Sequence, residues 1–252
     1  MPEVVALYRD KIEDQYTAIK DIRGVQRDLL DTYMADIAKH SGKINALHIE
    51  HLWRNVTHQL AHSQDSSTPK FRFKDAVPGI RGYERLASPL SWLEKTCLIL
   101  RTSLVERAET PLSGFAQGNR FKQYFFDVGL SGAFSGIDPS RFLKYDFKIY
   151  KGYVAENFVA QELRSSGVSA LYCWVGRTAV IEFLLETVDG IIPIEVKAGN
   201  ITQSKSLRVY EERYKPGKSI VLSARSIESR GPRLHVPVYL AGMVRKHLTR
   251  KD

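Results

Sequence analysis

The feature that most limits the fold of this chain is a short turn between two strand-like runs. Residues 178–187 and 191–197 are rich in β-branched and apolar side chains, and Val188-Asp189-Gly190 joins them. Asp-Gly between two such runs is a strong signal for a two-residue β-hairpin turn. With Asp189-Gly190 as the turn, we expect Glu182 to lie opposite Lys197 and Leu184 opposite Glu195.

The second of these strands carries charges on one side. Glu195 and Lys197 are two residues apart, so they point to the same face, and the intervening positions are apolar. In the expected register Glu182 shares that face and lies diagonal to Glu195. Two carboxylates can hold Mg²⁺ or Mn²⁺, and an ammonium can orient or activate a water near the ion. The pattern predicts metal-assisted phosphodiester hydrolysis; the alternative is an exposed charged face with a Glu–Lys pair.

The helix predicted before these strands adds a third carboxylate. Residues 153–165 have apolar side chains at helical spacing, and Glu156 falls inside the apolar arc. A carboxylate there is costly unless it is paired or bound to a metal. Glu162 also falls inside the arc, so it is the rival candidate.

The order of predicted elements gives a mixed α/β chain with a helical N-terminal region. Predicted helices at 1–40, 44–62 and about 83–97 are followed by strands at 98–106 and 121–128, which is the order of a winged helix, and we assign that unit to residues 44–127. The C-terminal hundred residues are predicted as α-β-β-β-α-β-β, with the second helix at 202–213, and a basic helix at the end of the chain. We therefore expect a helical segment at 1–43, a winged-helix-like domain at 44–150 and an α/β domain at 151–252.

Positive charge is concentrated near the C-terminus. The net charge is +9, and residues 201–252 hold 12 basic against 4 acidic side chains. Such clustering favours a polyanionic partner, since phosphate neutralisation supplies much of nucleic-acid affinity. A solvated basic surface, or a helical unit that only packs against a neighbour, is the alternative. The candidate DNA contacts are Arg72, Lys74, Arg81, Arg85, Lys205 and Arg208.

Several classes of protein are excluded by composition. No stretch approaches the roughly 18 uncharged apolar residues of a membrane span, and the first 30 residues lack the apolar block of a signal peptide. The two cysteines, Cys97 and Cys173, provide neither a disulfide framework nor a four-cysteine zinc site. We expect a cytoplasmic protein that does not associate with membranes.

Four runs of the C-terminal half, GYVAENFVAQEL, VIEFLLE, IIPIEVKAG and SKSL, resemble the PD-(D/E)XK nuclease-like fold. More closely, they resemble the C-terminal domain of unknown function in bacterial and archaeal AAA-type P-loop ATPases. MPEVV, QRDLLDTYMADIAKH, YERLASPLSWLEKTCLI and FKQYFFDVGL are similar to the middle region of that family. The resemblance thus extends over nearly the whole chain.

The resemblance implies roles for individual residues. Glu156 matches the helical glutamate, and Glu182 stands where the nuclease pattern usually has Asp. Glu195 and Lys197 match the ExK half of the pattern, and the Val196 carbonyl is a possible further metal ligand. The implied cofactor is Mg²⁺ or Mn²⁺, held by Glu182, Glu195 and Val196.

The chain departs from the family in one large respect. It contains no GxxxxGK followed by Ser or Thr, so no ATP site is expected, although the family's MPEVV-like segment follows a complete ATPase domain. We therefore expect a DNA-directed module with a metal-dependent nuclease-type site, and a P-loop ATPase as a possible protein partner. The alternatives are an inactive nuclease fold used for DNA binding or regulation, and a protein-interaction domain without nucleic acid.

Overall fold

Helices precede and flank one mixed sheet in this α+β protein. A computed structural model describes residues 2–63, 70–74, 76–143, 150–200 and 204–245. The helices are α1 (Pro2–Asp10), α2 (Gln15–His40), α3 (Lys43–Ser63), α4 (Ala87–Lys95), α5 (Val128–Phe134), α6 (Pro139–Leu143), α7 (Tyr150–Ser165) and α8 (Lys205–Tyr214). The strands are β1 (Ile99–Val105), β2 (Ala116–Phe125), β3 (Leu171–Val175), β4 (Val180–Thr187), β5 (Gly190–Val196), β6 (Ser219–Ser223), β7 (Glu228–Arg230) and β8 (Arg233–Pro237).

The first forty residues form two helices, which are separated at residues 11–14. The Asp14 side chain accepts a hydrogen bond from the Thr17 amide at 3.1 Å, which caps the start of α2. Gly24 lies inside α2. A well-capped start outweighs the roughly 1 kcal/mol that an interior glycine costs a helix.

A tryptophan on α3 joins the helical region to the sheet. Trp53 is fully buried, and its ring stacks on Phe125 of β2 with centroids 5.4 Å apart. Tyr33 of α2 meets the same indole edge-on. These contacts bury α2 and α3 against the outermost strand on this side of the sheet.

The sheet runs through both halves of the chain. The strand order is β2-β1-β3-β4-β5-β6-β8-β7, and β1 pairs with β2 antiparallel and with β3 in parallel. The β1–β2 hairpin is therefore not a free-standing wing, because the second edge of β1 forms a ladder with β3. The predicted boundary between residues 150 and 151 falls at the start of α7, but the hydrogen bonds of the sheet join strands from both sides of it.

The C-terminal half begins with α7, followed by the antiparallel meander β3-β4-β5. Helix α8 then crosses over to β6, which lies parallel to β5. Ser204 caps α8 by accepting from the Leu207 amide at 3.0 Å, so the helix begins later than predicted. A 3-10 helix at Val238–Met243 follows β8, and the basic helix predicted for the end of the chain falls largely on residues 246–252, which lie outside the described ranges.

The register of the β4–β5 hairpin differs from the predicted one by two residues. Thr187 pairs with Gly190, so Val188 and Asp189 form the loop and Gly190 follows it with φ +122°. Glycine tolerates that φ, whereas an L side chain rarely does. The ladder ends at Phe183↔Ile194, so Glu182 lies just beyond its last pair. The pairings of Glu182 with Lys197 and of Leu184 with Glu195 are wrong; Leu184 faces Pro193.

Three short elements were not predicted from the sequence. Helix α5 begins at Val128 and α6 ends at Leu143, in a stretch for which no helix was predicted, and β7 has only three residues. Asp127 caps α5 by accepting from the Leu130 amide at 2.8 Å. Local caps and tertiary packing can support elements too short to show a clear period.

Among the helices that the structure describes, none has the length and apolar character that crossing a membrane requires.

Candidate active site

A β-bulge places Glu182 at the centre of the candidate site. Tyr172 pairs with Leu184 but Trp174 pairs with Ile181, so one residue of β3 faces two residues of β4, Glu182 and Phe183. Such bulges redirect side chains and interrupt simple alternation. The Glu182 carboxylate accepts a hydrogen bond from the Val196 amide through Oε2 at 3.2 Å. This bond, and not alternation along β4, fixes the carboxylate beside the end of β5.

Glu195 and Lys197 form an ion pair at the end of β5. Lys197 Nζ lies 2.6 Å from Glu195 Oε1, and the Glu195 side chain is 1% exposed. The second carboxylate oxygen, Glu195 Oε2, is buried and has no hydrogen-bond partner among the described residues. A buried carboxylate oxygen without a donor is costly, so this atom is a candidate ligand for a cation.

The electrostatics of Glu182 reflect its neighbours. Burial raises the pKa of Glu182 well above its usual value, and the nearby charges of Glu195 and then Glu156 raise it further. Burial opposes the charged form of Lys197, but Glu195, Glu182 and Glu156 together raise the pKa of the ammonium. Lys197 is therefore a fixed positive charge in this arrangement.

The carboxylate of α7 that joins this group is Glu156 and not its rival Glu162. Glu156 Oε2 accepts from Lys122 Nζ and from the Tyr124 hydroxyl, each at 2.8 Å. Glu162 lies elsewhere, with its carboxylate against Gly242, where an added Cβ would come within 2.8 Å of Oε2. Four residues predicted for the site, Glu156, Glu182, Glu195 and Lys197, are thus brought together.

Sequence reasoning missed Lys122 and Tyr124. Both are buried on β2 and reach the site from the N-terminal half of the chain. Burial opposes the charged form of Lys122, but Glu156 raises the pKa of its ammonium well above the usual value. A lysine in the aromatic run FKQYFF was the available signal, because a buried lysine in such a strand needs a carboxylate partner.

The thiol of Cys173 also lies within this group but has no reactive character. Cys173 faces the bulge from β3 and is completely buried. Burial raises the pKa of its thiol to about 12, so the protonated form prevails at neutral pH. Cysteine-based nucleophilic chemistry is not supported at this position.

The carboxylates do not form a ready-made metal cage. Within the described ranges, no group of three or more His, Cys, Asp or Glu side chains has an arrangement that could hold a metal ion. Two of the three carboxylates are instead paired with lysines. A cavity of about 510 Å³ lies at the opposite end of β5, beside Gly190, Tyr214 and Lys218, and does not include the site.

The six candidate nucleic-acid contacts are all exposed and lie in two groups. The first group, Arg72, Lys74, Arg81 and Arg85, lies in the described residues 70–74 and 76–85. These residues contact β2, where the Phe71 amide donates to the Phe121 carbonyl at 2.7 Å and the Tyr83 ring meets the Phe121 ring edge-on. None of these four forms an ion pair with another described residue. The second group, Lys205 and Arg208, lies on α8, where Arg208 is 3.7 Å from Glu212.

Both halves of the chain match families of unknown function. Residues 1–141 match the domain of unknown function DUF8612, and residues 151–238 match the domain of unknown function DUF4143. Because the first match covers more than half of the chain, the protein belongs to the DUF8612 family. No curated protein and no solved structure matches the chain.

The raised pKa of Glu182 gives a prediction about stability and pH. The folded state holds this proton more tightly than the unfolded state does, so the contribution of Glu182 to stability falls as pH rises above its usual pKa of 4.5. We expect Glu182→Gln to unfold at higher urea concentration than the parent at about pH 8, with the difference shrinking toward about pH 4. Glu212→Gln, at an exposed position of α8, is the control. An equal stability difference at both pH values would contradict the prediction.

Proposed function

We propose that this chain is a DNA-directed module whose C-terminal half carries a metal-dependent site for phosphodiester hydrolysis. The observation that carries the proposal is Glu195, which is almost fully buried, holds Lys197 through one oxygen and has no partner for the other among the described residues. Glu182 lies close enough to Glu195 and Glu156 for both of their charges to act on its carboxylate. Carboxylates with an adjacent ammonium are the groups that metal-assisted hydrolysis uses.

The residues present suit a single Mg²⁺ or Mn²⁺. These ions prefer oxygen ligands, and Mg²⁺ is commonly bound by one or two carboxylates with water and substrate phosphate completing the shell. Glu182 and Glu195 would hold the ion, with the Val196 carbonyl as a further candidate ligand. An ion there would satisfy Glu195 Oε2 and offset the repulsion that raises the pKa of Glu182.

The protein side chains then have distinct tasks. A bound ion supplies Lewis-acid activation of water and of the phosphate. Lys197, whose raised pKa keeps it charged, would contact a phosphate oxygen and stabilise the negative charge that develops as water adds to phosphorus. Glu195 holds the Lys197 ammonium in place through the 2.6 Å contact.

The order of elements supports a PD-(D/E)XK fold for the C-terminal half and a winged-helix-like fold for the region before it. The order α7-β3-β4-β5-α8-β6, with an antiparallel meander and a parallel final pair, supports our proposal of a PD-(D/E)XK core in the C-terminal half. The proposal of a winged-helix-like unit at 44–150 rests on α3, α4 and the β1–β2 hairpin. DUF4143 is known from AAA-ATPase-associated contexts, so a P-loop ATPase is the protein partner we propose. A cytoplasmic location, where such a partner and DNA meet, belongs to the same proposal.

The second candidate is a nuclease fold used only for binding or regulation. Two observations favour it: Glu182 is one methylene longer than Asp, and lysines already pair with Glu156 and Glu195. Small misplacements of a catalytic group can cost about 100-fold in rate. Binding would then rely on the exposed basic residues alone.

A metal titration combined with a cleavage assay separates the two candidates. Mn²⁺ binding is measured by calorimetry, and cleavage is measured on plasmid and single-stranded DNA, for the parent, Lys197→Ala and Glu182→Asp. Metal-dependent cleavage by the parent that Lys197→Ala removes supports the nuclease. An inactive parent with an active Glu182→Asp variant identifies a degenerate site. If neither protein binds Mn²⁺ or cleaves, the metal-dependent function is wrong.

DNA binding gives a separate prediction for the basic segment near β2. Replacing Arg81 and Arg85 by alanine is expected to weaken binding about tenfold, uniformly across sequences, because phosphate contacts carry no base specificity. The slope of log K against log salt should fall by about 1–2. Fluorescence anisotropy at several salt concentrations measures both quantities, with Lys205→Ala/Arg208→Ala as the comparison. Unchanged DNA affinity in Arg81→Ala/Arg85→Ala would contradict the prediction and would mean that other residues contact the phosphates.

A further inference from the structure

The interior of the candidate site contains a lysine from the other half of the chain. Lys122 lies on β2, and its side chain is 5% exposed, while Glu156 is 13% exposed. Their contact is 2.8 Å between Lys122 Nζ and Glu156 Oε2, and the Tyr124 hydroxyl donates to the same oxygen. A desolvated lysine is costly to bury, so its position beside Glu156 needs a physical reason.

The charges of the site can be matched pair by pair. Glu156 has Lys122 and Glu195 has Lys197, each at hydrogen-bond distance. Glu182 receives only the Val196 amide among the hydrogen bonds of the described residues. Three carboxylates and two ammonium groups therefore leave one carboxylate without a positive partner. One divalent ion would offset that charge, whereas two would make the group strongly positive before substrate arrives.

We propose that Lys122 is a built-in cation that takes the place of a second divalent ion beside Glu156. The site would then bind a single ion, at Glu182 and Glu195, and the DUF8612 half would supply part of the site in the DUF4143 half. This inference rests on the proposed function. Two-metal sites stabilise both the attacking and the leaving oxygen of a displacement, and here an ammonium on a strand fills one of those positions.

The backbone around Lys122 makes this charge a fixed one. Lys122 pairs with Thr102 in the β1–β2 ladder, and Asn157 of α7 bonds both the amide and the carbonyl of Phe125 at 2.9 Å. These two bonds tie α7 to β2 at the residue that follows Glu156. The Lys122–Glu156 geometry is therefore set by two connected elements and not by flexible side chains alone.

The test uses the full chain and Mn²⁺ alone as the probe. Lys122→Gln removes the charge and keeps a donor for Glu156, and Lys122→Met is measured beside it as a second neutral variant. We expect either about tenfold tighter Mn²⁺ binding or a second bound equivalent, because a buried positive charge near the ion is gone. Calorimetry gives the stoichiometry, and electron paramagnetic resonance counts free Mn²⁺. Circular dichroism confirms that each variant is folded.

Matched variants isolate the role of charge. Lys122→Arg keeps the charge and is expected to bind Mn²⁺ within about twofold of the parent, and Lys95→Gln removes an exposed charge on α4 as a control. In Lys122→Gln/Glu156→Gln the charge of the group returns to that of the parent, so the gain should disappear. Cleavage by Lys122→Gln should fall at low Mn²⁺ and recover at higher Mn²⁺, which a misfolded site would not do.

The outcomes distinguish this inference from the proposed function. If the parent binds no Mn²⁺ but Lys122→Gln does, Lys122 occupies a cation position and the nuclease function of the parent is wrong. If the parent binds Mn²⁺ and folded Lys122→Gln binds the same number of ions with equal or lower affinity, the inference is wrong and the proposed function stands. If no variant binds Mn²⁺, both are wrong.

Discussion

Replacing Glu195 by glutamine is expected to lower Mn²⁺-supported cleavage at least about 100-fold, which is the scale of losing a positioned catalytic group. Glutamine keeps the size of the side chain but removes the charge that pairs with Lys197 and the oxygen proposed to hold the ion. Mn²⁺ affinity should fall in the same variant. Single-turnover cleavage and calorimetry on the same preparation measure the two effects.

A control on the preceding helix makes this result specific. Glu162→Gln changes a carboxylate on α7 that lies beside Gly242, away from the site, and should leave cleavage near the parent value. Because Lys197 is partly exposed, water can hydrate it when Glu195 is neutral, so the fold should survive the change. Cleavage that persists in folded Glu195→Gln would come from a different site or a contaminant.

The contact between Glu195 and Lys197 could be predicted from their spacing along β5. The two residues are two apart in an apolar run, and their meeting at the end of the strand follows directly from strand geometry. The β4–β5 hairpin was also predictable, but its register was not. The Asp-Gly pair indicates a turn but does not determine which two residues form the loop. Here Gly190 follows the loop and has a positive φ.

The position of Glu182 depends on features that no local pattern reveals. The bulge opposite Cys173 is set by pairing with β3, a contact made across the fold, and it breaks the alternation from which a shared face for Glu182 and Glu195 was predicted. A register error of two residues leaves Glu182 near Glu195, whereas an error of one would separate them. The family resemblance, and not spacing alone, singles out Glu156 over Glu162.

Lys122 shows a different limit of sequence reasoning. Its partner Glu156 is 34 residues away and lies in the part of the chain that matches the other family. A domain boundary predicted near residue 150 places the two residues in separate domains, so their contact was not expected. The winged-helix order likewise predicts that β1 and β2 form a separate hairpin. Only the pairing of β1 with β3 shows that both halves share one sheet.

That shared sheet leads to the second large effect: residues 151–252 produced alone are expected not to fold. Without β1, the edge of β3 loses its parallel ladder and exposes unpaired backbone groups, which promotes aggregation. Glu156 also loses Lys122 and Tyr124, and Asn157 loses both bonds to Phe125. Losses of this kind, at about 1–3 kcal/mol for each buried polar group left unpaired, are comparable to the whole stability of a domain, about 5–15 kcal/mol.

Size-exclusion chromatography and amide exchange compare this fragment with the full chain. We expect the full chain to be monodisperse with protected amides in β3 to β6, and the fragment to aggregate or to lack protection in the same strands. Co-expression with residues 1–150 is the matched control, since it returns β1, β2 and Lys122 to the site without a covalent link. Recovery of protection in the co-expressed pair would show that the shared sheet, and not chain length, decides folding. A fragment that is soluble, monomeric and protected alone would mean that the DUF4143 half is an independent domain and that β1 only rests against its edge.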